Sequence, residues 1–331
     1  MIRWLTRRVI NMLIVLWLIS VVSFIIIQLP PGDLLTATLI ALEQRGVEIT
    51  DDLVDELRRQ YGLDKPPVLQ YVHWISRFVQ GDMGRSFVWN APVNELVGER
   101  IALTFVIALS SLLFVWIVAF PVGIYSAVRQ YSWGDHTATF FSYIGLATPN
   151  FLLALILMYV SFRYLGLDIG GLFSLEYREA PWSFAKVVDL LAHLWIPTVV
   201  LGTAGTAGLV RIMRANLLDE LRKQYVVTAR AKGLTETTLI MKYPVRVALN
   251  PFISTVGWTL PTLISGATIT AIVLNLPTTG PFLVGALLSQ DMFLAGSFIM
   301  LLSILTVVGT LLSDCLLVLL DPRIRYAKQA A

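Results

Sequence analysis

Few side chains in this sequence are placed to do chemistry. Asp314 lies well inside a long apolar stretch, seven residues before Asp321. An acid in such surroundings is a candidate for proton transfer. It also lies near one end of the stretch, where it could reach water or an arginine, and a structural role is the preferred interpretation. The three histidines lie far apart without the spacing of metal ligands, and a single cysteine, Cys315, excludes an internal disulfide.

Glycine motifs do not indicate nucleotide chemistry. Gly202, Gly205 and Gly208 recur every three residues in GTAGTAG, but the segment is apolar and no strand pattern precedes it. Small residues at this spacing instead predict close packing between helices. No GxxxxGK[ST] phosphate loop occurs in the sequence. The chain is therefore not expected to bind and hydrolyse ATP by that route.

The polar, basic stretch Tyr225–Leu249 is unlike its apolar surroundings. Leu217–Lys232 is rich in helix formers, and Gly233 is the residue that most easily ends a helix in the left-handed conformation. Thr235 can cap a second helix, with Glu236 in its positive first turn and Pro244 limiting its length. The stretch predicts two short helices joined at Gly233.

Two small residues precede this glycine. Ala229 and Ala231 lie four and two residues before Gly233, where they would let the surface of another protein approach closely. Arg230 and Lys232 would flank that contact with positive charge. The stretch is thus a candidate site for docking a partner protein.

The composition is that of a membrane protein. Of 331 residues, 56% are hydrophobic and 14% are charged, whereas soluble domains carry about 25% charged residues. The formal charge of +3 is small, and the basic residues lie beside apolar runs. Nucleic acid is therefore not an expected partner.

Long apolar runs, of which only the last contains a charged residue, Asp314, predict six membrane-spanning helices. They are 9–29, 101–128, 137–162, 190–210, about 247–274, and 292–320. The first run is interpreted as an uncleaved span and not as a secretory or twin-arginine signal, because it is long and no small-residue cleavage site follows. The higher density of Lys and Arg in alternate connections predicts that both termini and Tyr225–Leu249 are cytoplasmic.

The hydrophilic region 31–100 reads as a folded helical insert on the outer side. Thr50 is predicted to cap one helix. The apolar stripe Val68, Val72, Ile75 and Val79 predicts a second helix that packs in a core and ends at Gly81. Further along, Pro149 is expected to bend the third span.

Several motifs resemble one family. The run Thr228–Leu234 resembles the cytoplasmic coupling loop, or EAA loop, of bacterial ABC importer permeases of the dipeptide and oligopeptide (nickel) branch, with Val227 at the position of the usual leading Glu. Leu57–Ser86 resembles the extracytoplasmic segment of that branch in its GLD-x-P turn and GD-x-GRS ending. The LPPGD after the first span and the terminal LLDPRIR are also similar.

The resemblance implies an all-α membrane protein with the type I ABC importer permease fold and six transmembrane helices in the bacterial inner membrane. It would form a solute pathway without being an enzyme, and would itself bind no cofactor. ATP and magnesium would be held by two cytosolic ATPase subunits. The other implied partners are a second, related permease subunit, an extracytoplasmic solute-binding protein and membrane lipid.

The resemblance also implies site residues. The expected contacts with the ATPase are Tyr225, Thr228, Ala229, Arg230, Ala231, Lys232, Gly233 and Leu234. Candidates for the pathway or gate are Pro149, Pro261, Pro277 and Gly280. The expected organisation is 1–30 (tail and first helix), 31–100 (insert), 101–322 (five-helix core with coupling loop 215–246) and 323–331 (cytoplasmic tail).

The solute is left open by one departure from the family. The outer segment has Ala271 where an acid is usual and Pro277-Thr278-Thr279-Gly280 where Pro-Gly-x-Gly is usual. Peptides are the expected solute, and nickel, glycosides or opine-like compounds are alternatives. A self-sufficient secondary transporter or channel, or a structural membrane scaffold, are the competing classes of protein.

Overall fold

A computed structural model describes residues 2–28, 65–86, 88–89, 91–166, 170–254, 267–289 and 291–320, with single positions between 39 and 55. Regular structure in these residues is helical, apart from an isolated β-bridge between Arg85 and Pro92. The described helices are α1 (Ile2–Gln28), α2 (Pro67–Val79), α3 (Val93–Val128), α4 (Trp133–Ala147), α5 (Asn150–Val160), α6 (Phe184–Leu221), α7 (Gln224–Ala231), α8 (Glu236–Lys242), α9 (Pro244–Ser254), α10 (Thr268–Val273), α11 (Thr279–Leu288) and α12 (Met292–Leu320).

Four of these helices, α1, α3, α6 and α12, are long and apolar enough to cross a membrane. Helices α4 and α5 form a fifth crossing if they are counted together. The predicted span 247–274 contains most of α9 and all of α10, but residues 255–266 between them lie outside the described residues. The count of six spans therefore stays a prediction.

The third predicted span is broken at Pro149. Helix α4 ends at Ala147, α5 begins at Asn150, and the two are bent by 103°. Proline has no N–H to donate and disfavours helical backbone in the residue before it, and Thr148 is accordingly extended, with ψ of 118°. The predicted bend is confirmed, but it separates two helices and does not merely curve one.

The contacts group the chain into two compact units. One contains Leu103–Pro281 and Val308–Ala331, and the other contains Ile2–Ala102 and Phe282–Val307. In the first unit α6 runs through two apolar clusters. Its N-terminal half packs through Leu194 and Val200 with Leu172 and Leu274, while its C-terminal half packs through Met213 and Leu217. This 38-residue helix is the main packing element of that unit.

In the second unit, α2 packs through a face that the sequence pattern did not identify. Trp74 and Phe78 are buried, whereas Val68, Val72 and Val79 are exposed. The prediction that the stripe packs in a core is therefore wrong for the three valines, whereas its fourth member, Ile75, is partly buried against the cluster of Trp74 and Phe78. Apolar residues cover two adjacent flanks of this helix, and spacing alone does not tell which flank the protein covers. The predicted cap at Thr50 is supported, because its Oγ1 accepts from Leu53 N at 3.4 Å.

The glycine run in α6 packs closely at two of its three positions. A Cβ on Gly202 would lie 2.5 Å from Phe114 Cδ1, and one on Gly205 would lie 3.2 Å from Val115 Cγ2. A Cβ on Gly208 would meet nothing within 4 Å. The predicted close helix packing is confirmed for Gly202 and Gly205 but not for Gly208.

This difference gives a matched pair of substitutions in one helix. Gly202→Ala is expected to lower the free energy of unfolding by about 1–3 kcal/mol, because the Phe114 ring must move. Gly208→Ala is expected to change it by less than about 1 kcal/mol, with alanine favoured by helix propensity. Thermal unfolding of the purified protein measures both. Equal destabilisation by the two variants would contradict the close approach at Gly202.

Candidate functional site

The coupling segment, defined here as residues 224–242, consists of α7, α8 and the turn between them. Gly233 in that turn has φ of +77°, a conformation that strains any residue with a side chain. The predicted pair of helices joined at Gly233 is confirmed. The preceding helical run is not continuous, because α6 ends at Leu221 and Lys223 is extended, with ψ of 150°.

An ion pair closes the turn. Arg230 Nη2 donates to Glu236 Oε2 at 3.0 Å, and the hydrogen bond from Arg230 lowers the pKa of the Glu236 carboxyl. Thr235 occupies the N-cap position of α8 but makes no capping hydrogen bond. Its hydroxyl donates instead to Thr238 Oγ1 at 2.9 Å. The predicted place of Thr235 is right and its predicted role as a side-chain cap is wrong.

One side of the coupling segment is packed against the rest of the chain. Val226, Ala229, Leu239 and Ile240 are buried in the apolar cluster that contains the C-terminal half of α6. Ala229 is 8% exposed, so its side chain packs within this chain, and its expected contact with a partner stays a prediction. The small side chain of Ala229 lets α7 pack closely against that cluster. Ala231, by contrast, is exposed.

The opposite side of the coupling segment is exposed. Leu234 differs from the other expected contact residues on this side, because it is half-buried against the same apolar cluster. The expected contact residues that face outward are Tyr225, Thr228, Arg230, Ala231, Lys232 and Gly233. Seven of the eight predicted residues thus remain at least partly accessible, on a surface that carries two basic side chains.

A buried carboxylate links the end of α6 to the start of α7. Glu220 is 8% exposed, and its Oε2 accepts from the Tyr225 hydroxyl at 2.6 Å. Its Oε1 accepts from Lys223 Nζ at 2.5 Å. Burial and the hydrogen bond to Glu220 raise the pKa of Tyr225. Sequence reasoning missed this link, although the spacing of Glu220 and Lys223 across one helical turn was a visible signal.

A second buried ion pair joins α4 to α6. Asp135 accepts from Arg214 Nε at 2.9 Å and from Arg214 Nη2 at 2.8 Å, and also from Tyr131 N at 2.9 Å. The two side chains are 3% and 28% exposed. This geometry matches the paired donors of guanidinium to the two oxygens of one carboxylate. The partners are 79 positions apart, so no local pattern predicts the pair.

The predicted pathway residues lie on separate elements. Pro149 is at the bend between α4 and α5, and Pro277 is exposed between α10 and α11. Gly280 is buried in the first turn of α11, where a Cβ would lie 2.6 Å from Thr268 Oγ1. Pro261 lies outside the described residues. No common site for these residues is therefore assigned.

The described part of the chain contains no candidate metal centre, because no group of three His, Cys, Asp or Glu side chains there could hold a metal ion. Asp314 is half-buried near the end of α12, and Asp321 lies outside the described residues. The site defined by the geometry is therefore the surface of the coupling segment.

Comparison with protein families gives two matches. Residues 119–326 match the family described as binding-protein-dependent transport system inner membrane component. Residues 1–108 match the corresponding N-terminal family of membrane components. Together the matches extend over most of the chain.

Curated relatives are similar along almost the whole chain. The oligopeptide transport system permease protein AppB of Bacillus subtilis is 34% identical over 98% of this chain and 99% of that protein. The glutathione transport system permease protein GsiC of Escherichia coli K12 is 31% identical over 98% and 100%. A solved structure of the MetNI methionine ABC transporter in an inward-facing conformation gives a TM-score of 0.54 at 17% identity, covering 68% of this chain and 96% of that one. This last likeness concerns the fold.

The buried ion pair predicts a large effect on stability. Asp135→Asn is expected to lower the free energy of unfolding by about 2–3 kcal/mol, because it leaves the Arg214 charge half-buried without its partner. Asp82→Asn is the matched control, since Asp82 pairs with Arg77 at 2.6 Å and both side chains are about half exposed. It is expected to cost less than about 1 kcal/mol. Denaturant or thermal unfolding in detergent measures the two losses, and equal losses would contradict the assignment.

Proposed function

Because this chain belongs to the family of binding-protein-dependent transport system inner membrane components, we propose that it forms the solute pathway of an ATP-driven peptide importer. The family makes the chain a multi-pass permease subunit of the bacterial inner membrane, and not an enzyme. It also implies ATPase and solute-binding partners. The observation that carries the proposal is a coupling segment with one side packed onto α6 and the other side exposed.

The coupling segment would receive force from an ATPase subunit. Its exposed residues, from Tyr225 to Gly233, would sit in a groove of that subunit, and ATP with magnesium would be bound there. Ala229 would contribute indirectly, because its small side chain lets α7 pack closely against the apolar cluster that contains the C-terminal half of α6. Two ATPase subunits, a second permease subunit related to this chain and surrounding lipid would complete the assembly in the membrane.

Movement would pass from the coupling segment to the membrane through contacts already described. Met213 and Leu217 of α6 are fully buried against the cluster that holds Val226 and Leu239. Close-packed apolar contacts resist compression, so a displacement of α7 would tilt α6. Such tilting fits a rigid-body exchange between inward-open and outward-open states.

Peptides are the proposed solute. The support is that relatives similar over their full length carry the names of oligopeptide and glutathione transport permeases. The departure at Ala271 and at 277–280 leaves nickel, glycosides and opine-like compounds as alternatives. Identifying the molecule that copurifies with the solute-binding partner distinguishes these classes.

Reconstitution tests the function as a whole. The chain purified with its ATPase, second permease and binding protein is expected to take up a peptide in proteoliposomes only when ATP is present on the ATPase side. Uphill uptake by the chain alone, driven by a proton gradient, would instead identify a secondary transporter. ATPase subunits that fail to copurify with the chain would also contradict the proposal.

The turn at Gly233 gives a specific prediction. Gly233→Ala is expected to reduce the peptide transported per ATP hydrolysed by about twofold or more, because the positive φ strains alanine by roughly 1 kcal/mol or more. Gly81→Ala is the matched control, because Gly81 has φ of +86° and, like Gly233, open space at the Cβ position. The control carries the same strain outside the coupling segment. A similar fall for both variants would exclude a role specific to the segment.

The hydrogen bond from Tyr225 to Glu220 gives a second prediction about the coupling segment. Tyr225→Phe removes one hydrogen bond to a charged group, worth about 1–2 kcal/mol, and is expected to lower the transport-to-hydrolysis ratio by about threefold. Tyr243→Phe is the control, since it preserves the ring that lies 5.7 Å from Lys242 Nζ. Simultaneous measurement of uptake and phosphate release gives the ratio. An unchanged ratio for Tyr225→Phe would show that this bond does not position α7.

A further inference from the structure

Helix α2 contacts a membrane span well inside its apolar length. The Tyr71 hydroxyl and Ser20 Oγ share a hydrogen bond of 2.7 Å. Ser20 precedes Ile26, the end of the apolar part of α1, by six residues, or about 9 Å of helix rise. The contact therefore lies within the apolar length of α1 and not at its end.

A second span is contacted by the same face of α2 and at a similar depth. Trp74 and Phe78 are buried in one cluster with Met300 of α12. Met300 follows Phe293, where the apolar part of α12 begins, by seven residues, or about 10 Å. One span is thus contacted near its C-terminal end and the other near its N-terminal end, at matching depths. This range is the depth to which an interfacial amphipathic helix buries its apolar face.

The remaining surface of α2 is divided into an apolar and a polar flank. At 100° per residue, Val68, Val72 and Val79 fall within an arc of about 40° beside the buried face. These valines are 72%, 52% and 79% exposed. The far side of the helix carries the polar residues His73, Ser76 and Arg77, with Gln80 just past its end, and one exposed apolar residue, Leu69, which is 53% exposed.

We propose that α2 lies in the membrane interface beside α1, with its valine flank against phospholipid acyl chains and its polar flank toward water. The span that α2 contacts through Ser20 is itself apolar on its uncovered surface, since α1 exposes Trp17, Leu18, Val22 and Ile25. A span so largely uncovered by its own chain faces lipid. Helix α2 is therefore anchored in the bilayer and is not wholly surrounded by water. This contact is separate from solute choice and from ATP coupling.

Spin labelling tests whether each flank of α2 faces lipid or water. Single cysteines are introduced by Val72→Cys and Val79→Cys, and by Ser76→Cys and Gln80→Cys as neighbours on the polar flank, in a Cys315→Ala background. The complete transporter is reconstituted in phosphatidylcholine and phosphatidylglycerol vesicles. Collision rates with oxygen, which partitions into hydrocarbon, and with a water-soluble nickel chelate are measured. The oxygen-to-nickel ratio is expected to be about threefold or more higher at 72 and 79 than at 76 and 80.

Two results would overturn the proposal. Equal access of the nickel chelate to all four positions would show that the valine flank faces water. Low collision rates with both reagents at 72 and 79 would show that a protein partner covers it.

A measurement on the unsubstituted chain avoids any effect of the labels on folding. A phospholipid with a photoreactive group in its acyl chain is irradiated in vesicles that contain the transporter, and adducts are mapped by mass spectrometry. Adducts are expected on Pro67–Val79 as well as on the exposed face of α1. Adducts on α1 without any on α2 would overturn the proposal.

Discussion

The structure depends on the apolar contact between α6 and the coupling segment. Met213 and Leu217 come from a helix long enough to cross the membrane, and Val226 and Leu239 come from the two short helices beyond it. Burial of such side chains stabilises the short helices, which at seven and eight residues are too short to be stable alone. The same contact attaches the exposed turn at Gly233 to α6.

Directional contacts add what apolar packing lacks. Apolar contacts are non-directional, whereas a buried charge costs free energy unless a partner lies at a defined position. Glu220 with Tyr225 and Asp135 with Arg214 meet that condition at two points where α6 meets another helix. Asp135 accepts two hydrogen bonds from Arg214 of α6, and Glu220 of α6 accepts one from Tyr225 of α7. These links attach α6 to α4 and to α7 at defined points.

Sequence reasoning was reliable where a local rule decides the outcome. The positive φ at Gly233 and the break at Pro149 follow from the chemistry of single residues, and most spans follow from the length of apolar runs. It failed where a distant neighbour decides. The burial of Ala229, the pairing of Asp135 with Arg214 and the exposure of the valines on α2 depend on which element lies opposite, and spacing within one segment carries no information on that.

The membrane makes this failure systematic. In water an apolar stripe marks the protein core, because the alternative is exposure to solvent. Beside a bilayer the alternative is another apolar medium, so both flanks of α2 satisfy the same pattern. The two flanks differ in their polar groups. The flank that contacts α1 carries Tyr71, whose hydroxyl forms a hydrogen bond with Ser20. The other flank carries only valines. Hydroxyl pairs and small residues, such as Gly202 against Phe114, therefore mark helix–helix faces better than hydrophobicity does. In such a chain, a purely apolar flank next to a polar-bearing one is the flank that faces lipid.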